Sequence, residues 1–202
     1  MIPKEVYTST NLMSNEFALP CIIFLEKYKS KSNTVYTTLG CILDNFNISS
    51  ISKNTTRLKS LFTELSNSGY ISFEAEIVNL NTPLEINIRP YEQGDFFTTI
   101  HDFELDSIIN LVKDNNVSYM ILNMFISIKR RAGFINILNN QYETSIIGYR
   151  KLMDELGIKS FNTMSKYVKL LESTGILMVD RKNSDTDDGI KTVNTYSFKN
   201  IT

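Results

Sequence analysis

The sequence predicts an α+β chain, mostly α, made of two similar helical units in tandem, each closed by a β-hairpin. Three observations lead there. Residues 57–71, RLKSLFTELSNSGYI, and residues 163–177, TMSKYVKLLESTGIL, carry one pattern twice. With Gly69 laid on Gly175, Leu65 falls on Leu171, Phe62 on Val168, Leu61 on Tyr167, Leu58 on Met164 and Ile71 on Leu177. Each copy follows another helix-like stretch, YTTLGCILDNFNI in the first half and TSIIGYRKLMDELGI in the second. After each glycine the apolar spacing changes from three-and-four to alternation, the change expected where a helix gives way to a strand.

Residues 1–14 are polar and read as an N-terminal arm. The first unit spans residues 15–89. Asn15 is a plausible helix cap ahead of Phe17, Ile22, Ile23 and Leu25. Pro20 lies near the first turn, where it is tolerated, and the polar SKSN ends the helix near Lys29. Leu39, Ile42, Leu43 and Phe46 give a second helix. Ser52 is a candidate cap for a third, Lys53–Asn67, which Gly69 stops. Tyr70–Leu80 and Leu84–Arg89 then alternate as a hairpin around NTP.

Residues 90–104 read as a linker, and the second unit spans residues 105–202. Its first helix is expected over Leu105–Lys113, and a strongly apolar one over Val117–Arg131. A short strand follows at Phe134–Leu138, then helices at Ser145–Leu156 and Asn162–Thr174, stopped by Gly157 and Gly175. Ile176–Asp180 and Thr192–Phe198 are expected as strands, with the polar RKNSDTDDGIK between them as the tip.

The 202 residues, 42% hydrophobic and 21% charged, suit one large or two small globular domains. The apolar stretch near Ala18–Leu25 is too short to span a bilayer, and MIPKEVYTST lacks the plan of a signal peptide. The expectation is a cytoplasmic protein with no membrane partner. Cys21 and Cys41 sit in apolar helical surroundings and read as buried, reduced thiols. The net charge of −1 argues against a non-specific nucleic-acid coat. It leaves room for a sequence-specific binder, which needs positive charge on one face only.

A helix that reads DNA packs one face on its own core and offers polar or basic side chains on the other to the major groove. In the second copy the inward set is Met164, Tyr167, Val168 and Leu171, and the outward set is Asn162, Thr163, Ser165, Lys166 and Lys169. In the first copy the outward set is Lys53, Thr56, Arg57, Lys59, Ser60 and Thr63. Asn suits the adenine edge, Lys suits guanine or phosphate, and the forked guanidinium of Arg57 makes it the better base reader. Any of these positions reads equally well as solvated helix surface. Arg181 and Lys182 stand at the hairpin base as phosphate contacts, whereas Asp185, Asp187 and Asp188 further out would be repelled.

Both segments resemble the third helix and first wing strand of bacterial winged-helix regulators, where Thr-aliphatic-Ser-Arg precedes Leu, Leu and a Gly-Leu-Ile ending. The likeness is better in TMSKYVKLLESTGIL, with Lys166 at the place of the arginine. The first copy departs from it, with Lys59-Ser60 there and Arg57 a turn earlier. The tandem arrangement, over roughly residues 15–199, is also similar to initiators of plasmid and phage replication. The resemblance implies two winged helix-turn-helix domains in tandem, with double-stranded DNA as partner. The leading function is that of a site-specific transcriptional regulator, not an enzyme. Replication initiation is one alternative, and a protein-interaction adaptor that binds no DNA is another.

Other chemistries find little support. In SDTDDGIK the glycine comes one position early for a calcium loop begun at Asp185, and the twelfth residue is Tyr196 instead of a carboxylate. The single histidine, His101, has no ligand neighbours for zinc. No glycine-rich phosphate loop precedes a Lys-Ser or Lys-Thr pair. No cofactor is expected. Lys129, Arg130 and Arg131 read as positive charge at a helix C-terminus, with phosphate contact as the alternative. The helix over residues 117–131 is apolar almost all round, so part of it is expected to pack on the other domain or on a second copy in a homodimer.

Overall fold

The computed structural model describes the backbone of residues 2–3, 9–92, 97–137, 140–186 and 189–198. The chain divides into two compact units, Met1–Phe97 and Thr98–Thr202. Among the described residues the class is α+β, with eight helices and three antiparallel or short paired sheets of two, three and four strands.

Strand β1 (Ile2–Pro3) pairs with β5 (Phe97–Thr98), which lies at the boundary between the units in sequence. Helix α1 (Thr10–Ser14) follows, where Ser9 accepts from the Leu12 N–H at 3.4 Å. Leu12 and Met13 are buried, so residues 1–14 are not simply the polar arm expected of them. Helix α2 (Ala18–Tyr28) carries a continuous buried run, Ala18 to Leu25. Its N-cap is Phe17, without a side-chain cap bond, and not the expected Asn15, whose side chain accepts from the Phe17 N–H at 3.0 Å in the turn before it. Strand β2 (Thr34–Thr37) was hidden in a stretch that reads as helix. Its β-branched Thr34, Val35 and Thr37 favour the pleated conformation. Thr38 then caps α3 (Leu39–Asn45) by accepting from the Cys41 N–H at 3.2 Å.

Helix α4 (Ser52–Asn67) buries Leu58, Leu61, Phe62 and Leu65, the stripe its sequence spacing predicts. Gly69 follows in the left-handed conformation at φ +71°. Strand β3 is only Ile71–Ser72, and β4 is Leu84–Ile88. The long hairpin expected here is therefore mostly loop. Residues within it bond locally instead: Asn79 N–H to Thr82 Oγ1 at 3.0 Å, and Asn81 N–H to Asn79 Oδ1 at 2.8 Å. The Leu80 carbonyl accepts from Gly40 N–H at 2.9 Å, and a side chain at Gly40 would come within 3.3 Å of that oxygen. The sheet order is β2-β4-β3, with the last strand in the middle.

The second unit opens with α5 (Asp102–Asn115) and α6 (Met120–Lys129), the first longer and the second shorter than their apolar spacing suggests. Strands β6 (Gly133–Ile137) and β7 (Asn140–Ile146) come next. The helix expected from Ser145 begins at Tyr149 instead, because the β-branched TSII extends the strand. Helix α7 (Tyr149–Leu156) ends at Gly157, φ +64°. Helix α8 (Phe161–Ser173) ends before Gly175, φ +73°. Strands β8 (Leu177–Thr186) and β9 (Gly189–Phe198) pair along their whole length. The ladder thus covers most of the span expected as a polar tip. Asp187 and Asp188 lie outside the described residues.

The second sheet runs β6-β7-β9-β8. Its last three strands repeat the plan of the first unit. In each unit a helix leads to a strand, two helices and a hairpin whose second strand sits between its partner and the earlier strand. The core of the second unit gathers Ile108, Ile121, Leu122, Phe125, Leu152, Met164, Leu171 and Tyr196, all fully or nearly fully buried. Phe125 meets Phe198 edge-on at 5.6 Å between ring centroids. Every residue of α6 from Ile121 to Lys129 is buried in the single chain, against α5, α7, α8 and β7. That corrects the expectation of spare apolar surface on this helix for a second subunit.

Candidate nucleic-acid interface

Helix α8 supplies the better-formed candidate surface. Ser160 is its cap, accepting from the Thr163 N–H at 3.4 Å. Met164, Tyr167, Val168 and Leu171 turn inward and are buried, which fixes the rotation of the helix. Asn162, Lys166 and Lys169 are left exposed, with Thr163 and Ser165 half-buried beside them. Asn162, Ser165, Lys166, Lys169, Leu170 and Ser173 line one shallow hollow of about 460 Å³ along the helix. Four of the five residues read from the sequence as the outward set, Asn162, Ser165, Lys166 and Lys169, thus line this hollow, and Thr163 does not.

The hairpin base is less free. Arg181 is clamped by Glu172, which accepts two hydrogen bonds at 3.0 and 2.6 Å. These bonds to the Glu172 carboxylate push the guanidinium further up from its ordinary value. A phosphate reaching Arg181 must compete with that carboxylate. The side chain of Lys182 lies outside the described residues.

The first unit presents the equivalent helix differently. Arg57 is exposed but ion-paired with Glu16. Lys59 reaches back to donate to the carbonyls of Ile77 and Val78, both at 2.9 Å. Thr56 donates to the Ser52 carbonyl at 3.0 Å, and Thr63 to that of Lys59 at 3.2 Å. Lys53, Thr56 and Ser60 are exposed. The loop after this helix adds exposed Glu74 and Glu76, and β4 adds exposed Glu85. The two copies share an apolar stripe but not a charge pattern.

The basic cluster Lys129-Arg130-Arg131 is engaged internally. Lys129 is buried, its Nζ 2.6 Å from both oxygens of buried Glu104 and 5.8 Å from the ring centroids of Phe125 and Phe198. Arg130 and Arg131 share Glu155, and Ser127 also donates to it at 2.8 Å. Burial, together with neighbouring Arg130, lowers the Arg131 guanidinium from its ordinary value. The phosphate-contact reading of this cluster is thereby corrected.

Sequence spacing missed two contributors. Phe161, the first residue of α8, is 56% exposed, its ring tilted against Tyr149 at 6.1 Å between centroids. The second contributor is the distribution of charge along the chain. Residues 149–182 hold seven Lys and Arg against four Asp and Glu, a net of +3 within a chain of net −1. The remainder of the chain is correspondingly acidic.

Cys21 is buried and its thiol pushed up by desolvation, whereas Cys41 is exposed, contrary to the expectation that both are buried. Among the described residues, no group of three or more His, Cys, Asp or Glu is placed to hold a metal ion, and no helix is long and apolar enough to cross a membrane. No known family model matches the chain, and no curated protein matches it.

Proposed function

We propose that the chain binds a specific site on double-stranded DNA through α8 and regulates transcription from that site, as a tandem winged-helix protein. The observation that carries this reading is the exposed strip Asn162-Ser165-Lys166-Lys169 on a helix whose opposite face is locked into the core. An α-helix with side chains is about 10–12 Å across, the width of the major groove. Asn is suited to bond an adenine edge, and Lys a guanine or a phosphate. The order of helices and strands, repeated in both units, supports the winged-helix reading. The local excess of positive charge supplies attraction that the chain as a whole lacks.

The test is selection of duplexes from random-sequence DNA by the full chain, followed by footprinting on the DNA flanking its gene. Protection of a promoter agrees with regulation. Protection of an array of direct repeats turns the reading to replication initiation. Failure to enrich any duplex removes DNA binding and leaves the interaction-adaptor reading.

A further inference from the structure

We propose that Phe161 reads a thymine in the bound site through the 5-methyl group of the base. This rests on the reading of α8 as the DNA-contacting helix. A lone exposed phenylalanine is ordinary on a protein surface. This one occupies the first position of α8, beside Asn162 and one turn before Ser165, both of which line the hollow. The N-terminal residues of a helix laid in the major groove are those that reach base edges. Thymine is the one base to show a methyl group there, and an apolar side chain recognises it by excluding water from it.

The ring is also held in place. Tyr149 backs it from α7, with ring planes inclined by 49°. This ring contact restricts Phe161 on one side, so less side-chain freedom is lost on binding than for an isolated surface ring. With Asn162 next in the chain and suited to adenine, the geometry points to adjacent A·T pairs under the start of α8.

The test uses the full-length chain and its selected duplex. Each thymine in the footprint is replaced in turn by deoxyuridine, which removes only the methyl group. One replacement is expected to weaken binding about fourfold, the worth of one methyl group withdrawn from water. Phe161→Ala is expected to weaken binding of the unmodified duplex at least as much and to be indifferent to that same replacement. The deoxyuridine series on the wild-type chain needs no folded variant. If every deoxyuridine duplex binds as the parent does, the proposal falls. It also falls if Phe161→Ala keeps the methyl dependence. A duplex bound through Lys166 and Lys169 but blind to every methyl overturns the Phe161 assignment alone. Absence of any bound duplex overturns the DNA reading and this proposal together.

Discussion

The buried pair Glu104–Lys129 gives a sharp test of how the second unit is held together. Glu104 is 1% exposed and Lys129 6%, and Nζ lies 2.6 Å from both carboxylate oxygens. Glu104 also accepts from the His101 N–H at 2.8 Å, so one carboxylate joins the start of α5 to the end of α6. Taking two such charges out of water is costly, and their attraction repays it only while both are present. Lys129→Met leaves the carboxylate buried beside two aromatic rings with its main partner gone. The expected loss is about 3–5 kcal/mol, a large part of the roughly 5–15 kcal/mol that a domain of this size possesses. Glu104→Gln strands the ammonium and should cost a similar amount. The double variant Glu104→Gln/Lys129→Met removes both charges and should recover most of the loss, giving a favourable coupling of at least about 2 kcal/mol. Urea denaturation of the full chain, followed by circular dichroism, measures the three variants. Hydrogen exchange should localise the effect to Asp102–Asn115 and Met120–Lys129. If Lys129→Met loses under about 1 kcal/mol, the pair is solvated and the packing described for α6 is wrong.

Other consequences are simpler. Leu65→Ala and Leu171→Ala each empty a fully buried site and should cost about 2–5 kcal/mol, read as a lower urea midpoint; an unchanged midpoint contradicts the core assignment. Gly175→Ala meets nothing within 4 Å but must hold φ +73°, so a loss of about 1–2 kcal/mol in the same titration is expected from backbone strain alone. A thiol reagent should label Cys41 at once and Cys21 only on unfolding, because burial raises the Cys21 thiol and shields it; rapid labelling of both would show that α2 is open. On the selected duplex, Lys169→Ala should weaken binding on all sequences and make the salt dependence shallower by about one unit. Arg57→Ala should do little to that binding because Arg57 is paired with Glu16, and a tenfold loss would return the first unit to the interface.

The sequence is legible where one periodic stripe decides the outcome. Leu58, Leu61, Phe62 and Leu65, like Met164, Tyr167, Val168 and Leu171, are buried at the spacing that marks them, and Gly69 and Gly175 take the left-handed turn that only glycine takes cheaply. Strand Thr34–Thr37 was not legible, because four residues abutting a helix offer too few alternations to be separated from it. The long first hairpin failed for a tertiary reason: Lys59 and Gly40 bind the carbonyls of residues 77, 78 and 80 that a ladder would use. The outward face of α8 was legible because its residue types and its phase agree. The engagement of Arg57, Arg130 and Arg131 was not, since their partners Glu16 and Glu155 lie 24 to 41 residues away in sequence. Charge type is written in a sequence, but availability depends on what folding brings alongside.

That distinction separates the two copies of the repeat. Apolar positions repeat because each unit must bury the same face of the helix that precedes its closing hairpin, beside the same three-strand order. The outward positions answer to no such demand, and they diverge. In α4, Arg57 turns to Glu16 and Lys59 to backbone carbonyls while Lys53 stays exposed, and exposed Glu74, Glu76 and Glu85 follow nearby. In α8, Lys166 and Lys169 border an open hollow, and Glu172 is occupied by Arg181. By sequence, residues 149–182 carry a net charge of +3, whereas the loop after α4 carries Glu74 and Glu76. On the proposed reading, α8 is therefore the reading helix, and α4 shares its buried stripe but offers Arg57 and Lys59 already engaged elsewhere.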